Sequence, residues 1–338
     1  MLQMSHGKYY SSWFLIVLIM GLAMVAIGGA TRLTESGLSI TEWRPLAGAL
    51  PPLSEEAWQS EFEKYKKIPQ YTQKNSGMKI SDFKKIYFWE FIHRLWGRLV
   101  GLVLFAALVH SLLTKKFSRW FGQRILFIGV LGVVQGFIGW LMVQTGLSHR
   151  TSVSAISLTA HYFAAAILLI FVYDSFLKSR GSSNLTFQKD WKNLSLAAFV
   201  LLQVFLGCLV AGNKLGHYFA TYPSYGQAGL PAGFQQSLMN LDSILFLVFH
   251  RGLGTFLGLL SIWMLTTKNN SYRILGAHLF FQAIIGILTI WTGINIYLAV
   301  IHQVTGMAII LSIYKILREN LKEDSTGNST ENLNIAAT

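Results

Sequence analysis

From Ile274 to Tyr314 the chain carries no Asp, Glu, Lys or Arg. A water-soluble surface cannot be written that way. A membrane-spanning helix takes roughly 20 mostly apolar residues, so this run holds two spans, divided at "GINI", 293–296. The two spans are 273–292 and 297–315. Six more stretches of the same kind lie at about 12–30, 91–113, 125–144, 153–177, 194–212 and 244–267. Composition agrees: 13% of residues are charged and 52% hydrophobic, where soluble domains carry about 25% charged residues. The expected fold is an all-α integral membrane protein with eight transmembrane helices.

The net charge of +13 does not point to nucleic acid, because the cations sort by side. With the N-terminus inside, the inner segments hold Lys8, then Lys115, Lys116, Arg119 and Arg124, then Lys178, Arg180, Lys189 and Lys192. Lys268, Arg273, Lys315, Arg318 and Lys322 complete that side. The short outer segments have only Arg150 and Lys214. This bias places both termini in the cytoplasm and the 31–89 and 213–243 loops outside. The single cysteine, Cys208, excludes an intramolecular disulfide framework. The polar tail, 319–338, reads as disordered.

The chain is written twice. "HRLWGRLVGL" from His93 matches "HRGLGTFLGL" from His250 at an offset of 157 residues. "QGFIGWLMVQTG" from Gln135 matches "QAIIGILTIWTG" from Gln282 at 147, and His161 matches His302 at 141. "GATRL" from Gly29 and "AGNKL" from Ala211 match weakly at 182. Four spans per copy is an even number, so both copies enter the membrane in one orientation. The expectation is two parallel-repeat four-helix bundles, residues 1–180 and 181–318, related by a pseudo-two-fold axis along the membrane normal.

His93, His161, His250 and His302 all fall near the outer ends of their spans, two per bundle and on different helices. Ionisable groups inside spans are rare and usually functional. Two histidines facing each other across a four-helix bundle suit axial ligation of a haem iron. Glycines on the same helical face, Gly97 and Gly101 or Gly254 and Gly258, remove bulk beside them. Arg94 and Arg251, each next to a histidine, suit the carboxylates of a haem propionate. Neither pair brings the Cys, Asp or Glu that another metal ion would need. His110 and His278 lie near inner ends without counterparts and read as structural. Gln135 and Gln282 either line the pockets or bond neighbouring helices.

The halves differ at Glu90, which aligns with Leu247, and at Arg98, which aligns with Thr255. The first outer loop is also longer than the third. The C-terminal half therefore reads as an electron-transferring haem site and the N-terminal half as a reacting site. Glu90 is either functional or a boundary carboxylate paired with Arg94 at i+4.

The stretches "GGATRLTESGLSITEWRPLAGALPPLSEEAWQSEFEKY", "IYFWEFIHRLWGRLVG", "SLTAHY", "FHRGLGT" and "IHQVTG" resemble the haem A synthase family over about 12–318. The long first loop is similar to the branch shared by proteobacterial and mitochondrial members. The resemblance implies oxidation of a methyl group of haem O to a formyl group, giving haem A for cytochrome oxidase. It implies a haem b held by His250 and His302, a substrate haem facing His93 and His161, and Glu90 as the catalytic glutamate. It makes direct delivery from the farnesylating haem O synthase plausible. Some members carry cysteine pairs in the outer loops; this chain does not. Tyr9–Tyr10 follows Met1 too closely for an import presequence, so a bacterial cytoplasmic membrane is expected. The electron donor, the oxygen source and the oligomeric state are left open. A di-haem cytochrome acting only as electron carrier would also use four histidines, but not Glu90; a transporter would not need fixed axial pairs.

Overall fold

The fold is described from a computed structural model, over residues 6–44, 47–181, 190–225 and 243–335. Lys189, most of the third outer loop (226–242) and the last three residues of the tail lie outside the described residues, and 319–335 are described as backbone alone. Among the described residues the structure is helical, with eight helices long and apolar enough to cross a membrane. They are α1 (Gly7–Leu33), α4 (Ile80–Leu113), α5 (Arg119–His149), α6 (Ala155–Ser179), α7 (Trp191–Gly212), α8 (Ser243–Thr266), α9 (Asn270–Trp291) and α10 (Ile296–Ile335). The short helices α2 (Glu55–Tyr65) and α3 (Pro69–Lys74) lie in the first outer loop. Inside a bilayer every backbone donor needs an internal partner, and polar residues at the span ends supply them. Ser118, Ser154, Asp190 and Asn269 cap α5, α6, α7 and α9, each accepting from backbone N–H groups of the first turn.

Helices α1, α4, α5 and α6 pack as a closed ring of neighbours, and so do α7, α8, α9 and α10. The rings meet through α1 against α10, α6 against α7, and α6 against α10. Tyr10, Phe14 and Phe121 are fully buried in the first ring, and Met307 of α10 belongs to the same core cluster. The outward surface is apolar: Leu102, Phe105, Val133 and Ile156 are all exposed, as a lipid-facing wall requires. The end away from the 34–79 loop is tied by one buried carboxylate. Asp174 of α6 bonds Arg124 of α5 at 2.9 Å, Arg318 of α10 at 2.5 Å, Lys178 at 3.3 Å and the Tyr314 hydroxyl at 2.8 Å.

The structure differs from the sequence reading in three places. The first outer loop is largely folded: α4 begins at Ile80, well before the expected span, because Phe83, Tyr87 and Phe91 close a small core with Leu38, Phe62 and Tyr65. The last helix runs through Ile335, where a disordered tail was expected from 319. An already nucleated helix gains one backbone hydrogen bond per added residue, which carries it on through weak helix formers such as Ser325, Thr326 and Gly327. The register of α1 against α7 is 179 residues, not 182. The helices end at Leu33 and Gly212, and the following Glu35 and Lys214 share a left-handed backbone, φ 55° and 56°. Backbone geometry, rather than five partly similar letters, fixes the equivalence.

Candidate functional site

Each of the four outer histidines rests its ring on a glycine of the preceding span. A Cβ built on Gly139 would come within 2.9 Å of His161 Cε1, on Gly207 within 2.8 Å of His250 Cε1, and on Gly286 within 2.9 Å of His302 Cε1. On Gly28 it would meet His93 Nε2 at 3.1 Å. A half-turn of the His93 ring about Cβ–Cγ exchanges Nε2 with Cε1 and reproduces the His250 pose. Only a residue without a side chain lets imidazole lie this close to a helix backbone. His93 lies within electrostatic reach of His161, and His250 of His302.

Three of the seats add a glutamine one helical turn before the glycine. Gln135 Nε2 lies 3.2 Å from His161 Nδ1 and donates to the His161 carbonyl at 3.0 Å. Gln203 Nε2 donates to the His250 carbonyl at 3.1 Å, and His250 Nδ1 lies 3.2 Å from the Gln203 carbonyl oxygen. Gln282 Nε2 lies 3.2 Å from His302 Nε2. Of the two readings left open for Gln135 and Gln282, contact with the histidines is what the geometry shows. Gln203 was missed. Its signal was present as Gln-x-x-x-Gly, recurring at 135, 203 and 282, but the intervening letters are ordinary span residues.

Glu90 is buried, with 2% of its surface exposed. Ser39 Oγ donates to Oε2 at 2.8 Å, the Ile40 amide donates to Oε2 at 2.9 Å, and Arg94 Nη2 donates to Oε1 at 2.7 Å. The carboxylate is therefore held by the 36–44 loop as well as by its own helix. Ser39 and Ile40 lie some fifty residues away in sequence, and no local pattern announced them. A cavity of about 490 Å³ adjoins, with Ile40, Leu50, Pro52, Tyr87, Arg94 and Arg98 among its walls.

Arg94 and Arg251 were expected to face propionates. Both are bonded to outer-loop backbone in the same way. Arg94 donates to the carbonyls of Ile40 (3.0 Å) and Glu42 (3.2 Å), and Arg251 to those of Phe219 (2.6 Å) and Thr221 (2.9 Å). The spacing repeats at 179 residues. Arg251 also stacks over Tyr225 at 4.6 Å. Arg98 donates to the Arg44 carbonyl, and its counterpart Thr255 bonds the Tyr222 hydroxyl at 2.8 Å. Helices α4 and α8 thus each hold down the loop beside them.

Residues 11–314 match the COX15-CtaA family, described as cytochrome oxidase assembly protein. The chain belongs to the haem A synthase family. It is 37% identical over 312 residues to the heme A synthase of Neorickettsia sennetsu, covering 89% of this chain and 95% of the relative. The heme A synthase of Parvibaculum lavamentivorans is 39% identical over 312 residues, covering 88% and 90%. That of Caulobacter sp. (strain K31) is 38% identical over 329 residues, covering 92% and 95%. The inner-end histidines of this family member have hydroxyl partners: His110 meets Tyr9 and His278 meets Ser312, both at 2.9 Å. Among the described residues no three His, Cys, Asp or Glu gather as a metal-ion shell.

Proposed function

We propose that the protein is a haem A synthase of the bacterial cytoplasmic membrane. It is an oxidoreductase that turns a ring methyl of haem O into a formyl group by two successive hydroxylations and loss of water. The observation that carries this reading is four glycine-seated histidines in two pairs, with one buried carboxylate a helical turn from one of them. A di-haem carrier accounts for the seats but gives Glu90 and its loop nothing to do.

In this reading His250 and His302 hold haem b, and His93 and His161 hold the substrate haem. The donor set fits. His250 Nδ1 faces the Gln203 carbonyl, which leaves the Nε2 lone pair for iron; at His302 the Gln282 amide meets Nε2, and Nδ1 is the buried nitrogen without a partner among the described residues. Gln135 Oε1, Gln203 Oε1, Gln282 Oε1 and Arg251 Nε are buried without a hydrogen-bond partner among the described residues. Buried polar atoms are otherwise paired, so these sites have capacity for a polar-edged ligand. Arg251 Nε is suited to a propionate, and Arg94 is its counterpart over the substrate. When bound, haem b supplies one-electron transfer.

Glu90 serves as a fixed anion. Its three donors keep it aimed, and they leave it little freedom to swing as a base. Positive charge develops on the rim carbon as electrons leave the methyl group. A preorganised carboxylate lowers that state without reorganising. Ser39 and the Ile40 amide orient it, and the loop above it excludes water.

The two bundles are proposed to be related by a pseudo-two-fold axis along the membrane normal, with both termini cytoplasmic; the two matching helix rings support this. Haem O would arrive from its farnesylating synthase. Pigment extraction from protein purified out of cells able and unable to make haem O is the test. Haem b in both, with haem O or A only in the first, is expected. Equal haem b in both halves under both conditions would favour the carrier.

A further inference from the structure

The four seats are not equal. Reading back one turn from each seat glycine gives Gln135, Gln203 and Gln282, and at the fourth seat Met24. The side chains occupy matching places. A Cβ on Gly254 would meet Gln203 Nε2 at 2.8 Å and one on Gly306 would meet Gln282 Nε2 at 3.6 Å, while one on Gly97 would meet Met24 Cε at 3.4 Å. Each of these glycines lies one turn after its histidine. Met24 therefore stands where the other seats have an amide, and a thioether donates no hydrogen bond. Among the described residues no hydrogen bond reaches the His93 ring. His161, His250 and His302 are each bonded, at the ring or at the carbonyl, by a glutamine of the neighbouring helix.

We propose that this single substitution makes His93 the weaker, first-released ligand of the substrate haem, with His161 the firmer one. The inference rests on the haem A synthase reading above. A resident haem must stay through many turnovers, whereas a substrate haem must enter and its product must leave. Partners of a ligating histidine fix its position and raise affinity, and their loss commonly costs about 10–100-fold. The C-terminal half has two glutamine partners: the Gln203 side chain holds the His250 main chain, while its own carbonyl oxygen faces the ring, and the Gln282 amide meets the His302 ring. The N-terminal half has one, Gln135, and a flexible apolar side chain in place of the other. Affinity is thereby lowered at one ligand of one site, beside Glu90, without disturbing the glycine that shapes the seat.

The test uses the purified full-length protein carrying its haems, mixed with excess apomyoglobin as haem acceptor. Loss is followed by visible spectra, and the haem type by extraction. In the parent, haem O or A should leave faster than haem b. Met24→Gln should slow that release by roughly tenfold, and Gln203→Met should speed haem b release by a similar factor. If Met24→Gln does not fold, Gln135→Met decides instead, and faster loss of haem O or A is expected. Unchanged release of haem O or A in the folded variant, with Gln203→Met still loosening haem b, overturns the inference and leaves the ligand assignment intact. Full haem content in both His161→Ala and His250→Ala overturns the ligand assignment itself, and the inference with it.

Discussion

Glu35 and Lys214 occupy the same position in the two halves, and they are bonded to each other at 2.5 Å. Each lies two residues beyond the first helix of its half with a left-handed backbone. Arg32 repeats the relationship: its guanidinium bonds the carbonyl of Ala211, its own counterpart at 179 residues. Contact between counterparts is what the proposed pseudo-two-fold axis would require of residues lying beside it. Glu35 is joined there by Lys74 of the outer loop.

This pairing gives an acid-sensitive joint between the halves. Burial alone would raise the Glu35 carboxyl, but the hydrogen bonds and charges of Lys214 and Lys74 outweigh it and hold the group below its ordinary range. A depressed carboxylate contributes stability above its unfolded pKa, about 4.3, and loses it as pH falls through the lower folded value. Glu35→Gln should therefore be less stable than the parent at neutral pH. The partly exposed pair limits the difference to about 1 kcal/mol or less. Thermal unfolding should show a constant gap above about pH 5 that closes below about pH 4. A gap unchanged at acid pH would assign the effect to something other than charge.

Glu90→Gln tests the anion assigned to catalysis. The change is nearly isosteric and leaves His93 and Gly28 in place. Loss of one aligned electrostatic contact commonly lowers a rate by roughly 10²–10³-fold. Cells with this variant should accumulate haem O or a hydroxylated intermediate, with near-normal haem b, on extraction and chromatography. Haem A made at the parental rate would reduce Glu90 to a structural partner of Arg94.

His250→Ala or His302→Ala should remove the haem b spectrum. Gly286→Val is a subtler form of the same experiment. Even a Cβ there falls 2.9 Å from His302 Cε1, so the ring must turn away while remaining chemically intact. A weakened or altered low-spin haem b signal is expected, with haem at His161 retained. A full parental spectrum in all three variants would show that these positions do not ligate haem b.

Reporter fusions test the sidedness. Fusions after Lys116 and Lys189 should report cytoplasm, and one after Gly226 the outer compartment. Fourteen inner against two outer cations in the short segments motivate this. A cytoplasmic signal at Gly226 would invert the map.

The sequence alone determined the eight spans, their sorting of charge, the four histidines and the lone Glu90. These are properties of a window or a repeated letter, because hydropathy acts locally and the bilayer reads it in segments of fixed length. It showed Glu90 and Arg94 one turn apart, but not Ser39 and the Ile40 amide on the other oxygen. It placed Arg251 beside a histidine, but not on the carbonyls of Phe219 and Thr221. It matched "GATRL" with "AGNKL", three residues out of register. Tertiary structure decided these because a hydrogen bond depends on which groups packing brings within about 3 Å, and that is set by helices distant in sequence. Gln203 shows the boundary between the two. Its letter was visible in span five, yet only the close approach of α7 to α8, made possible by Gly207, shows that it holds His250.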